Sequence, residues 1–164
     1  MSREPLLAEL TATLQQLVPT VTALRDATAA QREALAADDL DRLLTLTGEQ
    51  EEASARLAQL EQRRQRLQAD LEAALGVEGL RAILDRGSAT AAARAERLGV
   101  LDELGLRVAE LQSEQERSAA LLRSALDSTR RARAYLTRLS GAPSTYGPSA
   151  PAAAVPRLAT IVVP

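Results

Sequence analysis

The sequence predicts an all-α fold: three long antiparallel helices forming a coiled-coil-like bundle, a short linking helix, and a Pro/Ala-rich C-terminal tail. Three observations carry that expectation. Apolar residues step by three and four through most of the stretch from Pro5 to Leu139, the period of a helical seam. Only 1% of the 164 residues are aromatic, two Tyr with no Phe or Trp, although 46% are hydrophobic. The volume that rings usually fill must come from Leu, Ala and Val, which suits thin helix-on-helix seams. Finally, the composition shifts abruptly to Pro, Ala, Ser and Gly after Ser140, dividing residues 1–140, a helical domain, from residues 141–164, a flexible tail.

The first helix spans Pro5 to Ala36. Leu7, Leu10, Leu14, Leu17, Val21, Leu24 and Leu35 form its seam, with Thr28 and Gln31 in the two gaps. Pro19 removes a hydrogen bond in mid-helix at a cost of about 3 kcal/mol, and predicts a kink rather than a break because the period continues in phase.

A second helix starts after Asp38-Asp39-Leu40-Asp41, whose carboxylates cap unpaired N–H groups. Leu43, Leu46, Ala53, Leu57, Leu60, Leu67, Leu71 and Ala74 carry its seam, and Gly76 is the expected stop. Leu80, Ile83 and Leu84 between Gly79 and Gly87 make about two helical turns of linker.

Ser88 or Thr90 then caps the longest helix, with the seam Leu101, Leu104, Val108, Leu111, Gln115, Ser118, Leu122, Ala125, Thr129, Ala132, Leu136 and Leu139. About fifty residues at roughly 1.5 Å each give a rod of about 75 Å. Pro143, Pro148, Pro151 and Pro156 exclude continuous helix beyond it, and the apolar Leu158–Pro164 end reads as an exposed, mobile terminus in preference to a segment that pairs or docks.

Function classes narrow quickly. His and Cys are absent, which removes the commonest general base, the thiol nucleophile and the usual zinc ligands. Neither a catalytic set, a metal site nor a cofactor is expected. Carboxylates at Asp38, Asp39, Asp41 and Glu49, Glu51, Glu52 read as capping and solvated groups, since a helix face cannot supply the dry concave site that separates catalytic pKa values. Twenty basic residues, all Arg, face twenty-two acids for a net charge of −2. That balance favours neither nucleic acid nor an anionic membrane. No apolar run has transmembrane length and the N-terminus lacks a signal-like apolar core, so a cytoplasmic protein is expected.

The last helix carries the one functional signal. Gln115, Ser118, Ala125, Thr129 and Ala132 leave the middle of its seam poor in bulk, while Leu121, Leu126 and Tyr135 flank it. Two readings stand equal: a groove for an amphipathic partner helix, or close approach of the other two helices over small residues. The Arg cluster Arg130, Arg131, Arg133 and Arg138 suits a helix C-terminus.

Three segments are similar to motifs of the FlgN family of flagellar type III export chaperones. Ala37-Asp38-Asp39-Leu40 resembles the family's turn between first and second helices. Gln115-Glu116-Arg117-Ser118-Ala119-Ala120-Leu121-Leu122 resembles its Asn-x-x-Asn-Gly-x-Leu-Leu segment, with Gln115 and Ser118 in place of the asparagines, and Thr145-Tyr146-Gly147-Pro148 resembles its Thr-Tyr-Gly signature. The resemblance implies a cytoplasmic chaperone that binds the C-terminal helices of hook–filament junction proteins, prevents their premature association and delivers them to the flagellar export apparatus. Partner-binding residues are then expected at Gln115, Ser118, Leu122, Leu126, Tyr135, Leu136 and Leu139, with Tyr146 anchoring the tail or the client. The runner-up is a self-associating coiled-coil scaffold or adaptor, and a homodimer is compatible with the same seam.

Overall fold

The computed structural model describes residues 3–140, with side chains through Arg138. The expected tail, residues 141–164, and with it Tyr146, lies outside the described residues. Four helices follow in order: α1 (Arg3–Ala36), α2 (Leu40–Leu75), α3 (Leu80–Gly87) and α4 (Ala91–Ser140). They fall into two units, the first ending at Ser118 and the second starting at Ala119, and α4 contributes to both.

In the first unit α1 is the middle helix. Its buried residues follow three heptad-spaced rows: Leu7, Leu14, Val21 and Thr28; Leu10, Leu17 and Leu24; and Leu6, Thr13, Thr20, Ala27 and Ala34. Two rows make a seam for one partner; three serve a helix gripped from two sides. On one side is antiparallel α2, as Arg63 donates to Glu9 (2.7 Å), Gln50 to Thr28 (3.4 Å) and Gln31 to Thr47 (3.3 Å). On the other, α4 runs parallel to α1, with Glu4 paired to Arg97, Arg25 to Glu110 and Arg32 to Glu114. Successive long helices therefore alternate in direction, as the seams predict.

The third row was not read from the sequence, because Thr and Ala do not advertise burial. Thr13 and Thr20 in this row, like Thr28 in the first, are accommodated by donating their hydroxyls to the carbonyls of Glu9, Gln16 and Leu24 at 2.8–2.9 Å, so none of these hydroxyls goes unpaired. The same row explains why Ala34 is fully buried while Leu35, expected on the seam, is half-buried. Pro19 lies on the exposed side of α1, and the helix runs through it without a break.

The turns carry the expected chemistry. At the α1–α2 junction Asp38 adopts φ 57°, the left-handed conformation that Asp tolerates better than most residues. The Asp39 N–H bonds Ala34 O (2.9 Å) and the Asp38 N–H bonds Leu35 O (3.3 Å), a Schellman closure of α1. Asp39 then caps α2 by accepting from the Arg42 N–H at 3.0 Å, so one residue both ends and starts a helix. Gly76 closes α2 at φ 63°, and the Glu72 carboxylate, bonded by Gln68 and by the Gly79 N–H, braces that turn. These two hydrogen bonds hold the Glu72 carboxyl below its usual range. Of the two capping candidates for α4, Thr90 fills the role, accepting from the Ala93 N–H at 3.2 Å.

Leu80, Ile83 and Leu84 of α3 join the core with Leu57, Leu60, Leu67 and Leu71 of α2 and Leu101, Leu104, Val108 and Leu111 of α4. Burying each such side chain is worth about 1.5–3 kcal/mol. Gly87 ends α3 hard against Leu7; a Cβ there would sit 2.6 Å from the leucine Cδ1. The first turns of α2 are less enclosed: Leu43 and Leu46 are half-buried, and Leu40 and Leu44 are exposed.

Candidate docking surface on the last helix

The buried part of α4 ends at Glu114. Its carboxylate accepts from Arg32 Nε at 2.7 Å and pairs with Arg117 at 3.2 Å, one helical turn away. The hydrogen bond from Arg32 leads, and the carboxyl is held below its usual range; Glu110, bonded first by Arg25 and then by Arg107, is held low in the same way. These charged residues were missed in the sequence, yet Glu110 and Glu114 flank the seam residue Leu111, where a carboxylate can reach a neighbouring helix. Gln115 and Ser118, which follow, are half-buried in the first unit.

The second unit begins at Ala119, and here the helix needs another explanation than packing. Residues 119–140 are mostly Ala, Leu and Arg, the strongest helix formers. Side chains bond the backbone one turn back: Thr129 donates to Ala125 O (3.0 Å), Thr137 to Arg133 O (2.9 Å), and Arg123 Nε to Ala119 O (3.2 Å).

Along this helix Leu122, Leu126, Tyr135 and Leu136 are exposed at 47%, 56%, 63% and 63%. Leu122, Ala125, Thr129, Ala132 and Leu136 form a strip stepping by three and four, all exposed, with Leu121 half-buried beside it. The small residues thus do not serve close packing within the described residues. Of the predicted partner-binding residues, four stand exposed on this segment, two are half-buried before it, and the Leu139 side chain and Tyr146 lie outside what the structure describes.

Elsewhere the chemistry is sparse. An open cleft of about 550 Å³ is lined by Leu80, Arg81, Asp85, Arg94 and Leu98 among others. Both its arginines are engaged, Arg94 with Asp85 and Arg81 with Asp102. Among the described residues no group of three or more acidic side chains is placed to hold a metal ion.

A family model described as FlgN protein matches residues 1–153. The chain belongs to the FlgN family. That makes it a member of a family of flagellar export chaperones whose partners are flagellar proteins, and the matched span contains all three segments that resemble FlgN motifs. No curated protein and no solved structure matches the chain. As in the sequence reading, no helix among the described residues is long and apolar enough to cross a membrane.

Proposed function

We propose that this FlgN-family chain is a cytoplasmic chaperone that receives the C-terminal helices of hook–filament junction proteins on the second half of α4, keeps them from associating early and passes them to the export apparatus. The observation that carries the proposal is the exposed row Leu122, Leu126, Tyr135 and Leu136 on a helix with an apolar strip and no covering element among the described residues. Burying such a row under an amphipathic client helix shields both partners without a nucleotide or a catalytic step. In this scheme residues 1–140 form the chaperone domain and residues 141–164 a tail, with Gln115, Ser118, Leu139 and Tyr146 as further contacts.

Co-expression with the junction proteins of the same organism, followed by light scattering on the purified material, tests this. A complex of fixed stoichiometry that disappears when the client's C-terminal segment is deleted is the expected result. A closed oligomer of the chain alone, homodimer or larger, with no client bound, would instead establish the scaffold reading.

A further inference from the structure

Charge is unevenly distributed along the chain. Residues 3–118 hold fourteen arginines against twenty-one acids, a net of −7. Residues 119–140 hold five arginines against the single acid Asp127, a net of +4. The exposed apolar strip therefore lies on a net basic stretch, whereas residues 3–118 taken together are net acidic.

The arginines are also ordered. Arg123, Leu126, Arg130 and Arg133 step by three, four and three, which places them along one edge of the Leu122–Leu136 strip. Leu121, Ser128 and Tyr135 occupy the other edge at intervals of seven. Arg123 and Arg130 are exposed and two turns apart, about 10.5 Å along the axis. The local acid does little to neutralise them: Asp127 reaches Arg130 only at 3.8 Å, with both side chains mostly in solvent.

We infer that the occupant of this surface is an acidic amphipathic helix, with an apolar seam to cover the Leu122–Leu136 strip and carboxylates at seven-residue intervals facing Arg123 and Arg130. The inference rests on the docking reading above and adds the partner's chemistry to it. Two other occupants fit less well. A second copy pairing through the same segment sets +4 against +4, a like-charge contact that disfavours association. An anionic bilayer needs a broad apolar face with bulky anchors, whereas Ala125, Thr129 and Ala132 give a narrow one shaped for another helix.

The test uses the full chain and three designed helical peptides with one leucine seam and Glu, Gln or Lys at the flanking positions, titrated by calorimetry at low and high salt. The Glu peptide should bind about fivefold to tenfold tighter than the Gln peptide, as a few exposed ion pairs allow, and lose that advantage in high salt. Arg123→Glu combined with Arg130→Glu should reverse the order in favour of the Lys peptide while the chain stays helical. Equal binding of all three peptides overturns the charge selection and leaves the docking surface standing. If no peptide binds, the docking reading falls with it. Binding to phosphatidylglycerol vesicles in preference to the Glu peptide, or self-association abolished by the double substitution, also overturns the inference.

Discussion

The two halves of α4 continue one heptad pattern but meet opposite environments. From Leu101 to Glu114 each seam residue is buried and the adjoining carboxylates are clamped by arginines of α1. From Leu122 to Leu136 the same phase is exposed throughout. Periodicity alone cannot tell these halves apart. What separates them is side-chain size and charge: four large aliphatic residues fill the first seam, whereas Ala125, Thr129 and Ala132 thin the second and arginines border it. Among the described residues, one half is covered by its own chain and the other is not.

The contrast should appear most strongly in hydrogen exchange. Amides of residues 101–114 are expected to exchange only through unfolding of the first unit, while those of residues 119–138 exchange by local opening of a helix with no covering element among the described residues, faster by several orders of magnitude. Equal protection in the unbound chain would break the comparison. Client addition should slow the second set selectively.

Substitutions sharpen it further. Leu14→Ala, at a fully buried position, should cost about 2–5 kcal/mol in a denaturant melt. Leu126→Asp or Leu136→Asp should leave that melt within about 0.5 kcal/mol and weaken client binding tenfold or more, as measured by calorimetry. A large loss of stability from either would mean that the second half is part of a core. At Gly87 two effects oppose each other: overpacking against Leu7 costs about 1–3 kcal/mol and better helix propensity returns about 1 kcal/mol, so Gly87→Ala should be destabilising by about 1 kcal/mol.

The smallest expected effect is on pH. Arg25 and Arg32 hold the Glu110 and Glu114 carboxyls below their unfolded values, so the stabilisation is complete above about pH 4.5 and is lost as pH falls through the lower folded values. Melting temperature should be flat from pH 7 to 5 and decline below about pH 4. Glu114→Gln should reduce that decline, since it removes one of the carboxyls that the fold holds low, Glu72 being another.

Much of the fold was legible because leucine spacing and turn chemistry agree. Asp38-Asp39, Gly76 and Thr90 mark helix ends by the hydrogen bonds their atoms make, and the structure uses each. Thr13, Thr20, Ala27 and Ala34 were not legible as core, since small and polar residues are recognised as buried only once two neighbours are known to crowd them. The candidate site was legible as a weak seam with flanking leucines, whereas its exposure among the described residues could not be read from spacing, which is the same in both halves of α4. Likewise, a net charge of −2 concealed a basic segment on an acidic chain; only the position of the apolar strip gives that segregation meaning.

Tyr135 has one more consequence. The chain contains no Trp and only two Tyr, Tyr135 and Tyr146, and both come after Ser118 in the sequence. Among the described residues Tyr135 is therefore the one source of intrinsic ultraviolet emission, and it stands on the proposed docking segment. Tyr135, exposed in the unbound chain, becomes a built-in optical reporter: a client lacking Tyr and Trp can be followed through its emission and anisotropy without a label, and Tyr146→Phe isolates the signal from the helix itself.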